Sequence, residues 1–571
     1  MLSSEATRKL TSTSKNKRVL LLNPFLDQCA EPTVAHQSEA NGHLFAGTPL
    51  GLVYIYTYAR EKFPDIDFKM IDGQVMLIKN AEKGMENNWD LLLDEIVQYD
   101  PQIIGISACY YKSAYLFHET CNRIKKILPD IVIVGGGNYP TDGKGTILDD
   151  EDVDFIVLSE GEAPFAALVD TLYVGGDAKD VGGIGFKDEN GELVLTEERY
   201  NSHFLPPDEL IIPDRSTLPM DFYGKGRNVI DRLGMGKYRS LEMTVSRGCP
   251  YKCTFCNAKG FWGQRIRYRD SQSALDEMEI LKKEYGANII LINDDNFLLN
   301  KKKVTEIAKG IIERKLDIKW LANGGSNVRA LCDEAFLDLV VESGFLYFNL
   351  AVESGSQQTL DRIKKPTRVD EIWTLVEMIR RKYPHMWLNG YFIVGFPFET
   401  REEIIDTHKF SMDLELDWCT YSLFKPFPNT ELYDECVEMG LIKNFDWNCG
   451  SNHEPTVIDG PDWDRTWLFE TNYENNLRSN FLNNVNLQRG ETDPYAFEQI
   501  LRDFEYVISI TGNNHALGFR QAAVVADKLG LTEKAENYRA NEARVLASDD
   551  NFVKWYRRLD LPIDLSAGPS A

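Results

Sequence analysis

The sequence predicts an α/β chain in three structural parts: a parallel sheet covered on both faces, a partial or full β/α barrel, and an α-helical C-terminal region. Three observations carry this. Short, continuous apolar runs alternate with helical stretches up to residue 185, the pattern of parallel strands buried on both sides. Six more strand–helix units follow between residues 237 and 455, enough for most of a β/α barrel. From residue 456 onward the chain shows helical periodicity and no clear strand.

The chain has 571 residues, and Lys plus Arg total 63 against 88 for Asp plus Glu, a net charge of -25. That field repels polyanions, so nucleic acid and anionic membrane are poor partners. No apolar run is long enough to span a bilayer, and the N-terminal stretch lacks the apolar centre of a secretory signal. The cytoplasm is the expected address, and there the ten cysteines are thiols or metal ligands rather than disulfides.

The expected division is a flexible tail over 1–16, a first domain over 17–185, a connecting region over 186–236, a barrel over 237–455 and a helical domain over 456–571. In the first domain the strands are Arg18–Phe25, Phe68–Ile71, Ile103–Ser107, Ile131–Val134 and Phe155–Leu158. Helices are expected from Thr48 to Arg60, around 91–98 and over 113–127. Ligands of such sheets bind beyond the carboxyl ends of the strands. Ser107, the run Gly135-Gly136-Gly137, and Glu160-Gly161 lie there. The glycines admit a ligand close to the backbone or merely form tight turns; they are not a G-x-G-x-x-G opening the first helix. Barrel strands are expected at 240–245, 288–292, 318–322, 345–351, 387–394 and 418–424. C-terminal helices are expected at 495–510, 516–529 and 533–546.

Seven cysteines are scattered (Cys29, Cys109, Cys121, Cys332, Cys419, Cys436 and Cys449) and read as small buried hydrophobes. The other three, Cys249, Cys253 and Cys256, form C-x3-C-x2-C just after the first barrel strand. Three thiolates on a short loop can wrap a [4Fe–4S] cube and leave one iron open. Structural zinc needs a fourth ligand, and the nearest candidate is His203, 46 positions before Cys249. Zinc and unliganded thiols remain the alternatives at this point.

This loop resembles the signature of radical S-adenosylmethionine (SAM) enzymes. Asn293–Phe297, Ala351–Ser356, Gly390–Pro397 and Pro426–Thr430 follow at the matching strand ends. The α/β domain ahead of the barrel, with Thr48-Pro-Leu-Gly51 and the strand-end glycines, resembles the cobalamin-binding subclass. Phe261–Arg265 is similar to the segment after the cluster in its phosphonate C-methyltransferases. The resemblance therefore implies an N-terminal Rossmann-like cobalamin-binding domain, a partial (β/α)6 radical SAM barrel and an α-helical C-terminal region. It implies three cofactors: a [4Fe–4S] cluster, SAM and cobalamin. Asp-x-His-x-x-Gly is absent, so no protein histidine is expected on the lower face of cobalt.

Roles follow from the resemblance. Cys249, Cys253 and Cys256 are expected to hold the cluster. Phe255, Glu353, Ser354 and Gly395 are expected to bind SAM, the alternative for Glu353 and Ser354 being a capped helix start. Thr48, Ser107, Gly135, Gly136, Gly137, Glu160 and Gly161 are expected to bind cobalamin. Asp294 and Asp295 are substrate-facing or solvated turn acids. Arg265, Arg267 and Arg269 receive an anionic substrate group or pair with local acids. The implied function is cobalamin-dependent methyl transfer from SAM, through methylcobalamin, to an unactivated carbon or a phosphinate phosphorus of a small molecule. A flavodoxin or ferredoxin would supply electrons. The rival readings are a non-methylating cyclase or ring-rearranging enzyme of the same subclass, and a corrinoid or iron–sulfur electron carrier.

Overall fold

A computed structural model describes residues 17–25, 47–85, 87–109, 113–196, 204–206, 209–224, 229–442 and 456–563. The tail 1–16, Cys29 and Cys449 lie outside the described residues.

The first part is a seven-stranded sheet of β1 (Arg18–Asn23), β2 (Asp67–Asp72), β3 (Ile103–Ser107), β4 (Val132–Gly136), β5 (Phe155–Val157), β6 (Ile184–Lys187) and β7 (Leu193–Leu195). Their order is β2-β1-β3-β4-β5-β6-β7. The first five strands are parallel and the last two antiparallel. Alternation along β1 shows why the run is apolar throughout. Val19 and Leu21 enter one core with helices α1 (Leu50–Lys62) and α4 (Glu162–Val174). Leu20 and Leu22 enter the opposite core with α2 (Asn88–Tyr99) and α3 (Ala114–Ile127). Strand order reverses between β1 and β3, which opens a crevice at their carboxyl ends.

The barrel strands are β8 (Ser240–Met243), β11 (Ile289–Ile292), β12 (Lys319–Ala322), β13 (Phe348–Glu353), β14 (Leu388–Val394) and β15 (Trp418–Leu423). They form two parallel three-stranded sheets, β8-β11-β12 and β13-β14-β15. Single bridges at Trp320–Phe345 and Ser326–Leu350 join the two into one open, six-stranded arc. Beside its mouth, β9 (Ser246–Arg247) and β10 (Arg267–Tyr268) pair antiparallel around the cysteine loop.

Part of the stretch read as connecting belongs to the first sheet, since β6 and β7 extend it to Leu195. Leu193–Leu195 is too short, and Gly185 too weak a strand former, to stand out in a sequence. The C-terminal helices close the foot of the barrel. Helix α10 (Pro494–Ile510) brings Asp503 to the indole N–H of Trp387 at 3.4 Å, and the buried Arg232 guanidinium lies 4.3 Å from the ring of Trp418.

Candidate active site

The cysteine loop is fixed from both sides. Asp294, at the end of β11, accepts the main-chain N–H groups of Val245 (2.9 Å) and Ser246 (2.6 Å) and the Ser246 hydroxyl (2.6 Å). Gly248 follows with φ +90, and a Cβ there would lie 2.7 Å from the Arg265 carbonyl, so only glycine fits. Beyond it the Thr254 N–H bonds to Ile363 O (3.0 Å), and Leu432 N–H bonds to Thr254 O (3.1 Å). These bonds seat the loop on the segments that follow β13 and β15.

Cys249, Cys253 and Cys256 share this loop. Burial pushes the Cys253 thiol up to about 12 and the Cys256 thiol to about 11, with Cys249 raising both further. Ionising them in this wall requires an added positive charge, which metal ligation supplies. Among the described residues no three His, Cys, Asp or Glu side chains gather around one ion position. A cube takes each thiolate on a different iron, so the donor set fits a cluster better than a single zinc.

Around the loop the expected SAM residues divide. Phe255 packs on Phe396, ring centroids 5.8 Å apart. Glu353 ends β13 with φ +65 and accepts the Lys365 ammonium at 2.6 Å. Ser354 is fully buried, and its hydroxyl faces Thr407 at 3.1 Å and Ser356 N–H at 3.1 Å, an internal turn rather than an exposed contact. Gly395 has φ +85, and a Cβ there would lie 2.3 Å from Leu468 of helix α9 (Arg465–Leu477). Its close approach is to that helix.

The acids and arginines divide as well. Asp294 is 2% exposed and both its oxygens are engaged; desolvation nevertheless lifts its carboxyl to about 7. Its bonds hold the backbone at the entry to the cysteine loop. Asp295 keeps an open face at the barrel mouth, and desolvation raises its carboxyl to about 6. Arg267 pairs with Glu160 and donates to Leu205 O at 2.9 Å. Arg269 pairs with Glu277, which also accepts Arg215 at 2.6 Å. Both are ion-paired inside the protein with local acids. Arg265 is exposed.

A cavity of about 380 Å³ opens between the strand ends of the first sheet and the barrel mouth. Ser107, Gly135, Gly136, Gly137, Glu160 and Gly161 line it from the sheet side. Of the three consecutive glycines only Gly136 faces open space; a Cβ on Gly135 would meet Phe117 at 2.8 Å, and on Gly137 the Ala108 carbonyl at 2.8 Å. Thr48 does not line the cavity. Its hydroxyl donates to Glu242 on β8 at 2.9 Å and ties α1 to the barrel.

From the barrel side come Thr244, Arg247, Phe261, Trp262 and Asn293. Sequence reasoning assigned no role to Arg247, Tyr54, Glu162 or Trp262. Arg247 reaches across to Glu160 (2.8 Å) and Glu162 (2.6 Å) and lies over the Tyr54 ring. Its position two residues before Cys249 was the available signal, but its partners lie more than eighty positions away. Cys109 also lines the cavity, exposed rather than buried. A second pin joins the halves: Asp142, after β4, accepts the side-chain amides of Asn257 and, at 2.6 Å, Asn429.

Residues 243–411 match the Radical SAM superfamily and residues 44–169 the B12 binding domain. An uncharacterized methyltransferase of Pyrococcus horikoshii is 31% identical over 72% of this chain and 83% of its own length. The cytidylyl-2-hydroxyethylphosphonate methyltransferase of Streptomyces wedmorensis is 26% identical over 69% and 78%. The anaerobic magnesium-protoporphyrin IX monomethyl ester cyclase of Rubrivivax gelatinosus is 28% identical over 70% and 69%. In fold, the solved cobalamin-dependent SAM radical enzyme OxsB superposes over 96% of this chain and 82% of its own with a TM-score of 0.62 at 15% identity. The two matched families meet at the cavity, and the chain belongs to the radical SAM enzymes that carry a cobalamin-binding domain.

Proposed function

We propose that the protein is a cobalamin-dependent radical SAM methyltransferase acting on a small molecule, at an unactivated carbon or a phosphinate phosphorus. One observation carries this reading. The cavity beyond the glycine-bearing strand ends is the same cavity that Phe261 and Trp262 wall, a few residues after Cys256. A substrate placed there meets both halves of the protein at once, as a reaction needing both cofactors requires. Residues 17–195 are assigned to the corrinoid and 237–442 to cluster and SAM.

The cluster with SAM supplies one-electron cleavage chemistry when bound, and the corrinoid supplies methyl transfer. The chain does the rest. Cys249, Cys253 and Cys256 hold the cluster, with Asp294 and Gly248 setting the approach of their loop. Glu353, with Phe255, borders the SAM position, and its Lys365 partner pairs with that carboxylate inside a buried wall. Ser107, Gly136 and Gly161 leave room for the corrinoid. Tyr54, Phe261 and Trp262 keep water from the space where a radical would otherwise be quenched. Of the candidate substrate acids and arginines, Asp295 and Arg265 keep exposed faces for a polar substrate. A low-potential carrier of the flavodoxin or ferredoxin kind supplies electrons, and a reducing cytoplasm suits the three-thiol loop.

The cyclase likeness favours a second, non-methylating reading. Product counting separates the two. Full-length enzyme, reconstituted anaerobically with iron, sulfide and cobalamin, is assayed against phosphonates, peptides and biosynthetic intermediates. S-adenosylhomocysteine together with 5′-deoxyadenosine is the expected outcome for an accepted substrate. Deoxyadenosine and product without homocysteine would replace methyl transfer by the cyclase reading.

A further inference from the structure

Two asparagines and a tyrosine run from the foot of a short helix to the cysteine loop, and the amide orientations are fixed by elimination. The helix Val328–Leu331 is capped by Asn327, whose Oδ1 accepts the Ala330 N–H at 2.9 Å. Its Nδ2 must therefore point the other way, and it donates to Tyr251 Oη and to Asn296 Oδ1, both at 3.1 Å. With Oδ1 of Asn296 receiving that donor, its own Nδ2 is left facing the Sγ of Cys249 at 3.6 Å. Turning the Asn296 amide over would set two donors against each other at one end and two acceptors at the other. Asn296 is 8% exposed, so leaving either of its amide atoms unpaired would be costly.

We propose that Asn296 is a positioning residue that acts through Cys249 to raise the reduction potential of the cluster; the inference rests on the cluster reading above. The physical cause is simple. Reduction adds one electron and no proton to the cluster, and part of that charge falls on the cysteine sulfurs. An N–H dipole aimed at one sulfur stabilises the reduced form more than the oxidised one. Asn327 contributes indirectly, by holding the amide in the donating orientation. The other two ligands have different surroundings: Cys253 Sγ lies 3.9 Å from the Lys364 carbonyl, which offers no donor, and Cys256 receives the backbone N–H of Ala258 rather than a side chain. Among the described residues, Cys249 is thus the ligand whose sulfur a side-chain amide addresses.

The test is a midpoint titration of the full-length protein, reconstituted anaerobically and reduced stepwise with dithionite, with the reduced cluster read by electron paramagnetic resonance. Asn296→Leu removes the donor at similar volume. It is expected to lower the ratio of reduced to oxidised cluster about tenfold at a fixed potential, equal to about 59 mV for one electron, with iron content unchanged. Asn327→Ser keeps a helix cap but loses the reach to Asn296, and a smaller shift of the same sign is expected. An unchanged midpoint in Asn296→Leu at full iron content overturns the inference. If that variant fails to hold iron, an unchanged midpoint in Asn327→Ser overturns it instead. A wild-type protein that assembles no four-iron cluster would remove the cluster reading and this inference together, whereas an unshifted variant removes this inference alone.

Discussion

Glu160 is 3% exposed, in a wall where two guanidiniums pair with it. Burial works against the charge on Arg247, yet Glu162 and Glu160 hold its pKa above the ordinary arginine value. Removing Arg267 would leave Glu160 with Arg247 alone, a partial loss that falls below the about 3–5 kcal/mol of a wholly unpaired buried charge. Arg267→Met is therefore expected to lower the unfolding free energy of the apo protein by about 1–3 kcal/mol, read as a lower urea midpoint at unchanged slope. Arg265→Met should leave the midpoint unmoved, because the side chain is exposed, and should raise KM for an anionic substrate severalfold. Equal unfolding midpoints for Arg267→Met and wild type would show that the seam tolerates the loss. An unchanged KM for Arg265→Met on a phosphonate substrate would withdraw its substrate role.

Among the elements, helix α8 (Arg401–Asp413) turns His408 into the interior, where both ring nitrogens lack partners. Desolvation lowers its pKa from 6.5 to about 3. The native state rejects a proton that the unfolded chain accepts below about pH 6.5, so stability is lost as pH falls from there toward 3. Between pH 7 and pH 5 this single group costs about 2 kcal/mol by linkage. His408→Leu should flatten that part of the pH dependence, measured as urea midpoints at the two pH values. Parallel curves for variant and wild type would refute it. The same element-scale view shows what the sequence revealed. The β1–β5 runs and the six barrel strands were legible because both faces of each strand are buried, leaving unbroken apolar words such as Val19-Leu-Leu-Leu22. The β6–β7 hairpin and helix Gly73–Glu82 were not, since the hairpin strands are short and the helix follows β2 without a break. Of the site, the cysteine spacing was legible locally. The burial of Asp294 and Ser354, and the turning of Thr48 and Gly395 toward other elements, depend on neighbours far away in the chain.

At the scale of the whole molecule, the cavity belongs to neither half alone. Separating residues 17–195 from the barrel strips Arg247, Phe261 and Trp262 from its wall and leaves Glu160 and Glu162 without their cations. The isolated unit is expected to bind hydroxocobalamin at least tenfold more weakly than the full chain, as read by equilibrium dialysis. Equal affinity would mean that the sheet side alone forms the site. The seam between the halves has a further consequence. Its pins, Thr48 to Glu242, Asp142 to Asn257 and Asn429, and Glu160 and Glu162 to Arg247, each take one partner from either side. A recombinant that exchanges only the first 195 residues with a relative would juxtapose carboxylates and amides with strangers. The halves are therefore heritable as a pair: a drift at Glu160 must be answered at Arg247 or Arg267, and shuffling at this boundary succeeds only when both faces travel together.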